Sequence, residues 1–425
     1  MFGTLTYKRP INLVIAANIA AYAVLLLYRQ PLDRNVPITF LLVTGLICTA
    51  YFIITGLGMG DEYLFLVVSM LFSLGLIMIY RLDPLTGQKQ VVWLTAGLIL
   101  FFISYILFGK IYVWHRLGYI YAAGTLILNI TTIVFGKRIN GATNWIIIQG
   151  HSIQLSEVVK ILFILFLACY FKDQEAGMLR FPSLKCIKQE TLNRAFLMAV
   201  TFSNAFLMIL QREWGTVALL FALYIVMLYV FGSSRRFLLV NIVSTIPVAL
   251  FGYFFIYHIQ VRVDMWLNPW SDASGKGYQI LQSLFAIGSG SFLGTGIGAG
   301  RPDLIPAVKT DFIFSAICEE MGILSGIAVI LLYFILFYRG AKIALNIKER
   351  FYKALSLGIS VMFGVQTFII IGGVIKLIPL TGITLPFISY GGSSLITSFI
   401  LLGILQAMSK IQHHKLKEEG RRIDQ

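Results

Sequence analysis

Charged side chains are scarce in this chain, 12% of 425 residues, so those that interrupt apolar sequence are the first candidates for chemistry. Glu157 and Lys160 stand three apart in SIQLSEVVKILFILFLACYF, on one face at the start of an apolar helix. An unpaired charge at membrane depth costs roughly 2.5 to 3.5 kcal/mol on insertion scales, so this acid and base should face a bundle interior, against each other or a watery cavity. A structural ion pair is a simpler reading of them than direct catalysis. Trp145, shortly before in GATNWI, reads as an interfacial anchor ahead of a substrate platform. Arg212 and Glu213 fall in the tight connection QREWGT, at the mouth of the flanking spans, where a solvated couple and an anion-binding Arg212 are equally good readings.

Asp272 lies in NPWSDASGKGYQ. Pro269, Gly275 and Gly277 make a turn there, and the apolar spacing from Tyr278 to Ile287 predicts a helix lying at a membrane surface. By spacing alone such a carboxylate is a turn or cap residue, and Asp264 and Asp303 compete with it for any catalytic role. Asp311 suits a helix N-terminus. Glu319 and Glu320, about two turns further in, need a base, a backbone amide or a proton.

The elements that position these residues are mostly spans. A chain with 58% hydrophobic residues cannot be a water-soluble globule, in which about a quarter of positions are charged. Apolar segments of spanning length fall at about 11–28, 37–55, 63–80, 91–108, 117–135, 153–171, 195–210, 216–231, 237–257, 311–338, 354–375 and 393–408. The fold class is therefore an all-α polytopic membrane protein with about 12 transmembrane helices, both termini on one side. A cytoplasmic N-terminus places 21 Lys and Arg inside and 12 outside, the bias that the positive-inside rule requires. The net charge of +15 is then matched to membrane lipid, and nucleic acid is not expected as a partner.

The longest connection, His258 to Thr310, has 53 residues and falls outside. It contains Trp266, Trp270, Leu281 and Phe285, so it reads as a functional surface; disordered linkers lack such residues. Its string GSGSFLGTGIGAG is no nucleotide loop, since no Gly-Lys-Ser/Thr follows and no strand precedes; the glycines allow close backbone approach. The seventh span is short and, with Ser203 and Asn204 inside it, is expected to be tilted or broken. KLIPLTGITLPFISYGGSS suggests irregular re-entrant backbone, tolerable only when buried in protein or lining a cavity. Cys48, Cys169 and Cys318 lie in spans and Cys186 in a loop, which indicates neither disulfides nor a zinc site. The basic start at Lys8 and Arg9 leads into a retained first span.

Taken together, GATNWI, SIQLSEVVK, QREWGT, NPWSDASGKGYQILQS, KTDFIFSAICEEMG and LPFISYGGSS resemble, in order, the SEDS family of bacterial FtsW, RodA and SpoVE proteins. The likeness runs from about Glu62 to Lys410. It implies a ten-span core over 62–410 including the outer loop 258–310, an additional N-terminal helix pair over 1–61 and a cytoplasmic tail over 411–425. Several positions depart from the family pattern. Leu155 stands for a proline, Asn144 for an arginine, QREWGT for QPDLGT, and Ala307 and Lys309 for the residues that usually lead into TDF.

The resemblance implies a peptidoglycan glycosyltransferase that joins lipid II units into glycan strands at the outer face of the bacterial cytoplasmic membrane, serving elongation, division or sporulation. It makes Asp272 the essential carboxylate, Trp145 the sensitive tryptophan and Glu157 with Lys160 the pair of the core. It also implies a class B penicillin-binding protein as partner. One aspartate suffices for such transfer: a base takes the acceptor hydroxyl proton, while the pyrophosphate leaving group is already weakly basic. Its developing charge asks for a divalent cation, Mg or Mn, or for Arg212, Arg262, Lys276, Arg301 or Lys376. A lipid II flippase and a non-catalytic scaffold for the transpeptidase are the alternatives.

Overall fold

The computed structural model describes residues 10–28, 35–139, 142–148, 151–172, 189–232 and 234–423. Lys8, Arg9, Arg29, Arg34, Arg180, Lys185 and Cys186, and the side chains of the tail beyond Ile411, lie outside the described residues. Each of the twelve apolar segments is a helix. The first two are α1 (Ile11–Tyr28) and α2 (Asn35–Gly56). Then come α3 (Glu62–Leu82), α4 (Pro84–Lys110), α5 (Gly118–Phe135) and α6 (Leu155–Lys172). After α7 (Gln189–Leu210), α8 (Trp214–Val230) and α9 (Arg235–Phe255), the long connection holds α10 (Tyr257–Leu267) and α11 (Tyr278–Ser289). The chain closes with α12 (Ile313–Asn346), α13 (Arg350–Val374) and α14 (Gly392–Ile423).

Among the described residues nine of these helices are long and apolar enough to cross a membrane, so the protein is a multi-pass membrane protein. The helices α1 and α8 are apolar but shorter, and α6 carries Glu157, Lys160 and Lys172. Helix α3 is buried along almost its whole length, as is α13, which places them at the centre. In α9, by contrast, only Asn241 and Gly252 are buried.

Asp83 sets the sharp turn between α3 and α4. Its Oδ1 accepts the Leu85 N–H at 3.1 Å, and Pro84 occupies the first helical turn, where a backbone donor is dispensable. Lys309 of the long connection reaches the same carboxylate at 2.7 Å and, as the leading cause, holds it well below the usual carboxylate range.

Three expectations are refined or corrected. The all-α bundle stands as expected and gains one small addition: β1 (Lys137–Ile139), β2 (Ala142–Ile148) and β3 (His151–Gln154) form an antiparallel sheet between α5 and α6. In sequence the strands are separated by Asn140–Gly141 and Gln149–Gly150, two-residue connections of the type that hairpins prefer. Second, α7 runs 22 residues without interruption. Asn204 is accommodated because it accepts from Asn129 Nδ2 at 2.8 Å and donates to Thr125 Oγ1 at 3.0 Å, so its polarity joins α7 to α5 and does not break the helix. Third, α11 is docked on the bundle by one face, with Phe285 exposed. It buries Ile280, Leu281, Ser283 and Ala286, and the Ser283 hydroxyl bonds Ser315 of α12 and the Val374 carbonyl of α13.

The glycine string docks onto a break in α12. Gly322 leaves the helical region at φ 82°, ψ 167°, which exposes backbone groups within the helix. Residues 291–296 satisfy them: Thr295 and Gly296 donate to the Glu319 and Glu320 carbonyls, while Ile323 and Leu324 donate to Ser291 and Phe292. A side chain at Gly294 or Gly322 would strike backbone at 2.3 Å, so only glycine permits this approach. The irregular stretch 375–391 is buried at Leu385–Ser389, as re-entrant backbone must be, and Gln90, Gln366 and Tyr333 donate to its carbonyls.

Candidate functional site

The chemistry-bearing residues collect at one end of the bundle in two clusters. The first is built by the sheet and α6. Trp145 is in the central strand, paired in register with Lys137 on one side and Gln154 on the other. Gln154 Nε2 and Ser156 Oγ donate to Glu213 Oε1 at 2.9 and 3.1 Å. One helical turn on, Lys160 Nζ lies 2.7 Å from Glu157 Oε2, which also accepts from Thr397 of α14 at 2.9 Å. Both members of this ion pair are buried.

Glu213 and Arg212 are not a couple. The turn holds Arg212 at φ 65° and leaves it exposed, while Glu213 points inward to the α6 donors. Burial raises the Glu213 carboxyl above the usual carboxylate range, with the nearby Glu157 adding to the rise. Glu213 was missed as a member of this cluster because its partners are 57 and 59 residues away in sequence.

The second cluster is the turn 269–277. Asp272 is half-buried and follows Pro269 in one turn of 3-10 helix. The Asp272 carbonyl accepts from Gly275 and Gly277, and its side-chain Oδ2 accepts the Lys276 N–H at 3.1 Å. A Cβ at Gly275 would lie 2.4 Å from Asp272 Oδ1, so glycine is required for the carboxylate to lie over this backbone. The Lys276 ammonium bonds Tyr257 Oη at 2.6 Å, which raises its proton affinity, with Asp272 and Asp264 adding further. Of the competing acids, Asp264 accepts from Tyr253 Oη at 3.3 Å and Asp303 is exposed.

The 375–391 stretch connects the clusters. Arg262 Nη1 donates to the Leu380 and Thr381 carbonyls at 3.2 and 2.7 Å, so this cation fastens α10 to that stretch. Where that stretch runs into α14, Gln154 N–H reaches Ser393 Oγ in the first turn of the helix at 3.3 Å. Trp214 Nε1 donates to His258 Nε2 at 2.7 Å, joining α8 to α10. Among the described residues no hydrogen bond or ion pair links Asp272 directly to Trp145, Glu157 or Lys160. Glu319 and Glu320 have the partners they require: Arg301 N–H at 2.7 Å for Glu319, and Arg81 at 2.6 Å for Glu320.

An apolar cavity of about 550 Å³ opens between α8, α12 and α13, lined by Val226, Tyr333, Phe334, Val361, Phe368 and Leu377 among others. Its rim at Ile375 and Leu377 adjoins Lys376, whose carbonyl accepts from Trp266 Nε1 at 3.1 Å. The chain leaves α10 at Leu267, one residue after Trp266, and enters the Asp272 turn directly.

A bundle of apolar helices with charged clusters at one end and an open, apolar-lined cavity between them is that of a multi-pass membrane protein with a polar site and an apolar recess. The chain belongs to the FtsW/RodA/SpoVE family, described as cell cycle proteins, whose model matches residues 61–414. It is 34% identical to the peptidoglycan glycosyltransferase RodA of Mycobacterium tuberculosis, over 96% of this chain and 92% of that protein. A match of that extent takes in part of the α1–α2 pair as well. Stage V sporulation protein E of Bacillus subtilis is 32% identical over 83% of this chain and 98% of its own. Among solved structures, a chain from a peptidoglycan synthase complex that coordinates polymerization and crosslinking superimposes with a TM-score of 0.67 at 26% identity. The match covers 83% of this chain and 98% of that one. RodA of Thermus thermophilus gives 0.59 at 25% identity with the same coverage.

Proposed function

We propose that this protein is a peptidoglycan glycosyltransferase that polymerises lipid II, with Asp272 as the general base. The observation that carries the assignment is the state of that carboxylate. It is half-buried, held by a single backbone N–H, and lies in the turn that follows α10, whose Trp266 bonds the Lys376 carbonyl between the cavity-lining Ile375 and Leu377. The cavity receives prenyl chain, and the turn receives the sugar and pyrophosphate.

In the reaction the C4 hydroxyl oxygen of the acceptor sugar bonds the anomeric carbon of the growing strand as the bond from that carbon to the lipid pyrophosphate breaks. The proton passes to Asp272, and the anomeric centre inverts. The exposed Arg212, and Lys276 once it leaves Tyr257, are the cations that answer the developing phosphate charge, while Arg262 acts by holding the 375–391 stretch. Glu157 and Lys160 keep α6 and α14 in register beneath Trp145.

Among the described residues no group of three or more His, Cys, Asp or Glu side chains is gathered for a metal. A divalent cation in this site would rest on pyrophosphate oxygens and on Asp264 or Asp272, the mode magnesium favours, and would neutralise leaving-group charge.

Both termini lie in the cytoplasm, the 258–310 segment faces outward from the cytoplasmic membrane, and a class B penicillin-binding protein crosslinks the product. The test is incubation of the purified full-length protein with lipid II, with and without that partner. Glycan chains should form with the native protein and not with Asp272→Asn, and polymer from the variant would remove the assignment. Movement of labelled lipid II across vesicle membranes without polymer would favour transport instead.

A further inference from the structure

Trp270 is placed unlike Trp214 and Trp266. Trp214 and Trp266 each donate their indole N–H inside the protein, to His258 and to the Lys376 carbonyl. Trp270 has no such bond among the described residues, and 64% of its surface is exposed. It shares the 3-10 turn with Asp272, two residues before it. That turn is closed on itself: Pro269 and Gly277 are buried, and a side chain at Gly277 would lie 2.1 Å from the Pro269 carbonyl. The backbone positions from which ring and carboxylate project are therefore fixed relative to each other. Behind the indole stands Phe285 of α11, itself 51% exposed, with ring centroids 5.9 Å apart and planes tilted by 58°.

An exposed aromatic pair beside a carboxylate matches the two faces of a pyranose, whose axial C–H bonds make one side apolar while its hydroxyls lie around the edge. We infer that Trp270, backed by Phe285, is the stacking platform for the N-acetylhexosamine that carries the acceptor hydroxyl, holding that ring so that its edge meets Asp272. The inference rests on the reading of Asp272 as base and adds a substrate-binding residue to it. Stacking acts on the ground-state complex and the transition state alike, so its loss raises KM and leaves kcat nearly unchanged. The competing role for an exposed tryptophan here is a bilayer-interface anchor, which any large apolar side chain would largely replace.

The test compares Trp270→Ala, Trp270→Leu, Trp270→Phe and native protein, all full-length and reconstituted, in lipid II polymerisation. Ala and Leu should raise KM about tenfold, Phe should stay within about threefold, and kcat and thermal stability should not move. Leu performing as well as Phe would overturn the platform, as would a loss confined to kcat. Binding of short-chain lipid II is measured in parallel in an Asp272→Asn background, with and without Trp270→Leu. A tenfold weaker Kd there supports the platform even if Asp272 proves not to be the base, and an unchanged Kd rejects it even if Asp272 is.

Discussion

Asp272 and Glu157 are both carboxylates with a lysine close by in sequence, and their surroundings assign them opposite work. Glu157 is buried and receives Lys160 at 2.7 Å and Thr397 at 2.9 Å. Asp272 is half-buried and accepts one backbone N–H, while its lysine turns away to Tyr257. A carboxylate buried against an ammonium and a hydroxyl offers no approach to a substrate hydroxyl. One that is half-buried and held by one backbone N–H does. The contrast teaches that acid and base spaced three or four apart report a local pair only on a helix; on a glycine turn the same residue types are released toward a ligand.

The contrast is broken most directly by removing each charge in turn. Asp272→Asn should lower polymerisation by about a hundred- to ten-thousand-fold while the melting temperature is retained. A parallel loss of folding would show that this carboxylate is structural after all.

Lys160→Met should do the reverse, costing about 3–5 kcal/mol of stability because it leaves Glu157 buried and unpaired. Detergent-melt measurements would show it. Combining it with Glu157→Gln should recover most of the loss, and a double variant as unstable as the single one would argue against a private pair.

A smaller effect concerns acid. Trp214 donates to a lone pair of His258, so the bond requires neutral imidazole, and burial, with Arg212 and Arg262 nearby, lowers the His258 pKa from its ordinary value. A lowered pKa contributes stability that is complete above the unfolded value, about 6.5, and declines as pH falls through the folded one. Stability of the native protein should therefore be flat above pH 6.5 and decline below it. His258→Gln should flatten that acid limb, and an unchanged limb would place the titration elsewhere.

The smallest effect is expected at Asp83. Its bridge to Lys309 is partly exposed on both sides, and Asp83→Asn should cost no more than about 1 kcal/mol. A larger loss would mean that the α3–α4 turn depends on the long segment for its shape.

The spans and the family were legible in the sequence because burial in lipid leaves so few compositions open: twelve apolar runs became twelve helices. The Glu157–Lys160 pair was legible for a related reason, since an apolar context leaves a charge few partners. What was not legible depended on distant residues. Glu213 looked like a surface acid beside Arg212 until Gln154 and Ser156 were brought to it. Asn204 looked like an interruption until Asn129 and Thr125 faced it. For the sheet the sequence carries one local signal, the Asn140–Gly141 pair, while the unbroken apolar run Trp145–Ile148 reads equally well as the approach to a span.

The splice at Gly322 makes α12 two rods. The shorter rod, carrying Glu319 and Glu320, is clasped by Arg81 at the end of α3, and main-chain bonds from 291–296 run to both sides of the break, to Glu319 and Glu320 on one side and Ile323 and Leu324 on the other. The glycine segment therefore splints the discontinuity, and a load on it is shared between the end of α3 and the rod that lines the apolar cavity.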